Sequence, residues 1–197
     1  MRQAEEIIEA LKLQPHPNEG GFFVETYRSK GTIAKAQLPG VYSGDRSYST
    51  AIYYLLTPET CSAMHRLPTD EVFHFYLGDP VFQLHLRPDG SSQVFTLGSD
   101  ILAGQRPQLV VPGETWQGAY LAEGGQFALL GATVAPAFDF SDYEHGKRDL
   151  LCMLFPSRKD LIERLTPSRI VERSAWRGNE CPTGAGETPA VPGEGNA

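Results

Sequence analysis

The spacing of short alternating segments is the feature that most restricts how this chain can fold. Segments in which apolar and polar residues alternate recur about every ten residues, and turns that contain glycine or proline separate them. These segments cover residues 22–27, 49–56, 71–77, 81–87, 92–98, 108–111, 115–121 and 126–135. Because no long helical pattern lies between them, a parallel sheet built from βαβ units is disfavoured. The pattern predicts an all-β antiparallel sandwich or barrel.

Short helices are predicted at both ends of this β region. Apolar residues recur at helical spacing within 3–13, and residues 158–165 show a second, shorter pattern of the same kind. The last segment is rich in glycine and proline and poor in apolar residues, which is typical of disorder. We therefore predict an N-terminal helical segment at 1–14, one β domain at 15–170 and a disordered tail at 171–197.

The charge and cysteine content restrict the partners and the compartment. The formal net charge is −7 and no basic cluster occurs, which argues against binding to nucleic acids or to an anionic membrane surface. Three cysteines without a CxxC motif favour a reducing compartment. The N-terminus carries acids where a signal peptide is apolar, and no apolar run reaches the ~18 residues of a membrane span. A cytoplasmic protein is predicted.

The segment HRLPTDEVFHFYLG, residues 65–78, concentrates the groups that could carry chemistry. His65, Glu71 and Phe73 have the same parity, so they point to the same side if the turn at Pro68 preserves the strand phase. An isolated carboxylate is costly to bury among aromatic side chains. We therefore expect Glu71 to be paired, metal-bound, protonated or open to a pocket.

This segment resembles the first cupin motif, in which HxH, a glutamate and a glycine follow at fixed spacings. His65, Glu71 and Gly78 match that motif, whereas Leu67 stands where the second histidine is usual. The segment VPGETWQG resembles the second cupin motif, with Gln117 in place of its histidine. The resemblance therefore implies a cupin site in which two of the four usual metal ligands are replaced.

Further segments extend the resemblance to a family of small stand-alone cupins without a settled activity. They are PHPNEGGFFVETYRS (15–29), SYSTAIYYLL (47–56), TVAPAFDFSDYE (133–144) and LLCMLFP (150–156). The resemblance implies a double-stranded β-helix, or jelly roll, with short flanking helices. It also implies a homodimer and a fold similar to that of the sugar-nucleotide 3,5-epimerases.

Three functions are compatible with these residues. In the first, His65 is a proton-transfer base oriented by Glu71, without metal, in an isomerase or epimerase of a small polar metabolite. In the second, the barrel binds such a metabolite without catalysis. In the third, His65, Glu71 and Gln117 hold a weakly bound divalent metal in a cupin dioxygenase or decarboxylase. The replaced ligands favour the metal-free site.

Gln117 and four other residues are predicted to contact the ligand. Arg28 could clamp a carboxylate or a phosphate, or could form an ion pair instead. Glu25 belongs to the same segment, Phe73 shares the parity of His65, and Tyr53 could bring a hydroxyl into the pocket.

Two more histidines and an acidic segment are predicted to lie outside the pocket. His74 follows Glu71 by three residues, which places it on the opposite face of a regular strand. His85 is predicted to be solvated on an outer face. The acids at 139, 142 and 144 indicate a solvated loop that could cover a barrel mouth.

Overall fold

Two antiparallel β-sheets face each other and form the body of the protein. The computed structural model describes residues 2–167, so the tail predicted at 171–197 lies outside the described residues. The strands are β1 (Gln14–Pro15), β2 (Phe22–Arg28), β3 (Thr32–Ile33), β4 (Arg46–Ser47), β5 (Thr50–Leu56), β6 (Cys61–Arg66), β7 (Glu71–Gly78), β8 (Val81–Leu86), β9 (Ser92–Leu97), β10 (Gln108–Val111), β11 (Trp116–Leu121), β12 (Ala128–Val134) and β13 (Glu144–His145). The helices are α1 (Arg2–Ala10), α2 (Arg148–Leu154) and α3 (Lys159–Arg164).

The strand order is that of a jelly roll. The first sheet has the order β1-β2-β5-β12-β7-β10, and the second has the order β13-β6-β11-β8-β9. Strands β3 and β4 form a separate pair. Apolar side chains from both inner faces, among them Tyr54, Phe73, Leu97 and Leu130, form one core between the sheets. The all-β jelly-roll fold is therefore confirmed, with short flanking helices.

Each predicted alternating segment corresponds to a strand. Strand β6 does not correspond to any predicted segment. Strand β6 carries His65, but its sequence CSAMHR has no apolar alternation. Strand β6 is central to the second sheet because it pairs with both β11 and β13. Its position is set by its neighbours and not by its own residue pattern.

The helices cover the outer faces of the sheets. Helix α1 packs Ala4 and Ile8 against Leu55 and Leu129 of the first sheet. Helices α2 and α3 pack on the second sheet, where Leu151, Phe155, Ile162 and Leu165 form a cluster with Met64, Leu84, Leu86 and Trp116. The second sheet is consequently buried on both faces. Within residues 2–167, no helix has the length and apolar character needed to cross a membrane.

A glycine is required where β7 ends. Gly78 has φ +102°, a left-handed conformation that favours glycine. A Cβ atom at this position would lie 2.3 Å from the carbonyl oxygen of Phe127. The glycine that matches the first cupin motif is therefore explained by backbone conformation and by the close approach of the strand end to Phe127.

The prediction that His85 is solvated is wrong. Its side chain is 1% exposed, and neither ring nitrogen has a hydrogen-bond partner among residues 2–167. Because α2 and α3 cover the outer face of β8, Leu84 and Leu86 point outward to those helices, and His85 points inward with Gln83. Burial, followed by the charges of nearby arginines, lowers the pKa of His85 to about 4.

Replacing this buried imidazole should stabilise the protein in acid. The unfolded chain takes up a proton on this histidine near pH 6.5 and the folded chain only near pH 4, so stability falls between those values as pH decreases. The full contribution is about 3 kcal/mol. We expect His85→Leu to reduce the acid-side loss of stability, measured by thermal unfolding across this pH range. His74→Leu should keep the wild-type pH dependence, and an unchanged slope in His85→Leu would contradict the assignment.

Candidate functional site

A cavity of about 200 Å³ lies between the sheets and is lined by both polar and apolar side chains. His65 belongs to the second sheet and Glu71 to the first, so the two residues stand on opposing walls. The lining consists of His16, Glu19, Phe23, Glu25, Arg28, Thr50, Ile52, His65, Leu67, Glu71, Ala132, Val134, Phe138, Asp139 and Phe140. The cavity therefore brings together the two residues that strand parity assigned to one interior.

A β-bulge in β6 turns two polar side chains toward the interior. Gln117 is opposite His65 and Ala119 is opposite Ser62, so β6 advances three residues where β11 advances two. Ser62 and His65 consequently face the same side although they are three residues apart. Gly118 lies opposite the extra residue, and a Cβ atom there would come within 2.8 Å of the Met64 sulfur.

The His65 ring is held in one orientation and one tautomer. Its Nδ1 lies 2.8 Å from the carbonyl oxygen of Ala63, and because a carbonyl only accepts, Nδ1 donates. In the neutral ring, Nε2 is therefore the basic nitrogen. The Tyr143 ring stacks on His65 with centroids 5.0 Å apart. Burial, with the nearby carboxylates of Glu19 and Glu71, raises the pKa of Tyr143, which keeps that phenol neutral.

Glu19 is the carboxylate nearest to His65, and it is not among the site residues predicted from the sequence. Its Oε2 lies 3.9 Å from Nε2 of both His65 and His16, and its Oε1 accepts a hydrogen bond from Ser62. Burial opposes the negative charge, but the two histidines and the Ser62 hydroxyl outweigh it and lower the pKa of Glu19. Glu19 is therefore a fixed negative charge beside the base.

The His16 side chain is hydrogen-bonded to the backbone of Glu19. The amide N–H of Glu19 donates to Nδ1 of His16 at 2.9 Å, so that nitrogen accepts and the neutral ring carries its proton on Nε2. Burial lowers the pKa of His16, in agreement with this tautomer. Only the three-residue spacing of His16 and Glu19 in the HPNE sequence hinted at this contact.

Glu71 is buried, and its pKa is displaced toward neutrality. Its Oε2 accepts a hydrogen bond from Nε2 of Gln117 at 2.7 Å, and Oε1 of Gln117 accepts one from Gln83 at 2.8 Å. Burial is the main cause that raises the pKa of Glu71 to about 7; the charge of Glu19 adds to it, whereas His65 and Gln117 act in the opposite direction.

The relation of Glu71 to His65 differs from the expectation that the carboxylate orients the imidazole. Within residues 2–167, no hydrogen bond or ion pair joins the two side chains. The carbonyl of Ala63 orients the ring instead. Glu71 is a separate titratable group on the opposite wall.

A second bulge, in β2, directs Glu25 and Arg28 toward the cavity. Glu25 is opposite Ile52 and Tyr27 is opposite Ala51, which leaves Thr26 as the extra residue. Arg28 donates to both carboxylate oxygens of Glu25 at 2.9 and 2.7 Å, and this hydrogen bonding raises the pKa of the arginine. Of the two predicted roles of Arg28, the structure shows the ion pair.

Three predicted ligand contacts lie away from the cavity lining. Tyr53 packs edge-on against Tyr76 at 5.9 Å on the outer face, and Phe73 is part of the core between the sheets. Gln117 lies behind Glu71 and reaches the cavity through it. His74 stacks on Tyr76 at 6.3 Å and is not among the lining residues, as the parity prediction requires.

The acidic segment beyond β12 is only partly solvated, which corrects its predicted character. Asp142 forms a buried ion pair with Arg46 at 2.6 Å, and both side chains are less than a tenth exposed. Glu144 pairs with Arg66 at the surface, and Asp139 caps a 3₁₀ turn at Phe140–Asp142. The segment lies against the cavity, because Asp139 lines it and Tyr143 covers His65.

The donor groups do not fit the transition-metal centre that a cupin motif implies. Gln117 turns its amide nitrogen toward Glu71, and its oxygen is engaged by Gln83, so it offers no free oxygen beside His65 and Glu71. Leu67 has no ligand atom. Across residues 2–167, no group of three His, Cys, Asp or Glu residues is arranged to hold a metal ion.

The fold and the site define the class of protein. A jelly roll with a cavity lined by both polar and apolar side chains between its sheets has the architecture of a cupin. The chain belongs to the Cupin_5 family, described as "Cupin superfamily (DUF985)", whose profile matches residues 5–146.

Similar proteins extend the comparison to three organisms. The chain is 31% identical over 147 residues to the Uncharacterized protein YML079W of Saccharomyces cerevisiae (strain ATCC 204508 / S288c), covering 71% of this chain and 73% of that protein. A solved structure of a hypothetical protein from Leishmania major has a TM-score of 0.73 at 29% identity and covers 83% of this chain and 98% of that one. Protein SO0799 from Shewanella oneidensis has a TM-score of 0.73 at 32% identity, with coverages of 84% and 98%.

Removing the buried carboxyl should stabilise the protein at alkaline pH. The unfolded chain loses the Glu71 proton near pH 4.5 and the folded chain only near pH 7, so stability falls as pH rises through this window. Glu71→Gln should therefore be more stable than wild type at about pH 8, by up to about 3 kcal/mol, and no more stable at about pH 4. Thermal unfolding at both pH values provides the measurement. Glu123→Gln, on an exposed turn, should match wild type at both. An equal gain of Glu71→Gln at both pH values would contradict a raised pKa of Glu71.

Metal content should be low. Because Leu67 and Gln117 stand at two ligand positions, we expect purified protein to contain less than about one-tenth equivalent of iron, manganese, nickel or zinc. Elemental analysis of protein purified without chelator provides the measurement. A stoichiometric metal that is lost in His65→Ala would overturn this expectation.

Proposed function

We propose that this cupin is an enzyme that moves a proton on a small polar metabolite in the cavity, as an isomerase or epimerase without metal. His65 is the base in this proposal, and Glu71 is the proton donor on the opposing wall. Glu19 is a positioning residue that acts through the charge of its carboxylate. Membership of the cupin family is consistent with this function but does not specify it.

One observation supports the proposal above the others. The cavity has a histidine whose basic Nε2 is left free by the Nδ1–Ala63 hydrogen bond, and it also has a carboxyl group with a pKa of about 7. General acid–base catalysis is most efficient when the pKa of the catalytic group lies near the working pH. A base and an acid on opposite walls can address two faces of one bound molecule.

Every proton in the proposed reaction has a donor and an acceptor. Nε2 of His65 takes a proton from a carbon beside a carbonyl, and the C–H electron pair moves into an enolate. Protonated Glu71 then donates its proton to the opposite face of that carbon, which inverts it. In an isomerisation, the hydroxyl proton on that carbon first passes to the enolate oxygen, and Glu71 then protonates the neighbouring carbon. Exchange with water returns the proton from the imidazolium and restores that of Glu71. The carboxylate of Glu19, 3.9 Å from Nε2, stabilises the transient imidazolium.

Proton exchange with solvent tests this function whatever the product is. Wild-type protein is incubated in D₂O with single aldoses, ketoses and amino sugars, and incorporation of deuterium at carbon is followed by NMR. We expect incorporation into at least one compound, and we expect His65→Ala to reduce its rate by about a hundredfold or more.

The matched control is His74→Ala, which removes a histidine from the outer face. It should exchange at the wild-type rate, and thermal unfolding verifies that both variants are folded. Exchange by His65→Ala at the wild-type rate would refute the proposed base. A compound that is retained without exchange during long incubation would identify a binding protein and refute the enzyme.

A further inference from the structure

We propose that the cavity selects a small organic cation, a metabolite that carries an ammonium group and neither phosphate nor carboxylate. This inference rests on the proposed function, because it names the substrate class of the same cavity. It departs from the anionic substrates that the similarity to sugar-nucleotide epimerases would suggest.

The charges that line the cavity are mostly negative. The carboxylates of Glu19, Glu25 and Asp139 line it together with the carboxyl group of Glu71, against the single guanidinium of Arg28. Arg28 is already engaged by both oxygens of Glu25 and also donates to the Phe138 carbonyl at 3.2 Å. Arg28 and Glu25 therefore neutralise each other, and the guanidinium has little positive charge left to attract an anion. Carboxylates within a cleft of low-dielectric walls favour cations.

The imidazoles do not reverse this balance. Nδ1 of His16 accepts the Glu19 amide, which requires a neutral ring. His65 faces the fixed charge of Glu19, so a proton on Nε2 compensates that carboxylate at most. Among residues 2–167, Arg28 forms an ion pair with Glu25, His65 lies 3.9 Å from Glu19, and neither Glu71 nor Asp139 takes part in an ion pair.

One oxygen of a carboxyl group in the cavity lining has no partner. The Glu71 side chain lines the cavity although the residue is only 7% exposed. Its Oε2 accepts from Gln117, but its Oε1 has no hydrogen-bond partner within residues 2–167. An ammonium group has three donors and no acceptor, so it supplies the contact that this oxygen lacks whenever Glu71 is ionised, whereas protonated Glu71 is the proton donor of the proposed reaction.

The apolar part of the lining suits the remainder of an organic cation. The rings of Phe23, Phe138 and Phe140 line the cavity, and Phe138 packs edge-on against Phe140 with centroids 5.1 Å apart. Aromatic faces attract cations through their quadrupole and also bury alkyl groups. The cavity of about 200 Å³ is smaller than the roughly 300–1,000 Å³ of drug-sized sites, which favours a small metabolite over a nucleoside diphosphate.

Three probes of the same length separate charge from shape. Binding of n-butylammonium, butan-1-ol and butanoate to the full chain is measured by isothermal titration calorimetry at about pH 8, above the pKa of Glu71. We expect n-butylammonium to bind at least about tenfold more tightly than the alcohol, and we expect no saturable binding of butanoate. Added salt should weaken only the binding of n-butylammonium, because it screens the interaction between charges.

Variants locate the preference in the cavity. Glu71→Gln should lower the affinity for n-butylammonium by about tenfold while leaving that for butan-1-ol unchanged. Glu123→Gln, on an exposed turn outside the cavity, should leave all three affinities as in wild type. Equal or tighter binding of butanoate, no saturable binding of n-butylammonium, or an unaffected Glu71→Gln variant would each overturn the inference.

The two proposals fail separately. If n-butylammonium is preferred but no compound exchanges deuterium, the ligand class stands and the proposed enzyme does not. If deuterium exchange depends on His65 but occurs only in neutral or anionic compounds, the enzyme stands and the cationic substrate class is wrong.

Discussion

The covering of the second sheet by α2 and α3 is the constraint on which the site depends. Because Leu84 and Leu86 are buried beneath these helices, the apolar side chains of β8 are shielded from water on its outer face, and its inner face can carry polar residues. The polar residues His65, Gln83 and Gln117 occupy the interior instead. A sheet with a solvated outer face would place such side chains in water. The helices thus make a polar interior possible without exposing the apolar residues of the sheet.

This polar interior has an energetic cost that the rest of the core offsets. A carboxyl with a raised pKa and an imidazole without partners both disfavour folding, whereas each fully buried leucine contributes about 1.5–3 kcal/mol. Stability and activity are commonly opposed at sites of this kind. Glu71 illustrates this conflict between stability and activity. Burial destabilises its charged form, and the same burial brings its pKa to about 7, the value that suits the proposed proton donor.

The sequence predicted the strands well and the facing of their side chains less well. Alternation marks a strand with one apolar face, as in β7, and a short apolar run between turns marks β12, whereas β6 has neither pattern. Parity placed His65 and Glu71 in one interior, but the roles of Glu19 and Ser62 depend on contacts distant in sequence. In β8 the apolar side chains face outward and the polar ones inward. This orientation depends on helices some sixty residues later in the chain, so no local sequence pattern predicts it.

The bulge in β6 has a consequence for comparing relatives of this chain. Ser62 and His65 face the same side only because one extra residue lies between them opposite Gly118. A homologue that retained both side chains but carried a single-residue deletion between them would turn one of the two toward α2 and α3. Alignment gaps at Ala63 and Met64 are therefore as informative as substitutions of Ser62 and His65 themselves. In this strand, the length of the backbone is itself a determinant of the site.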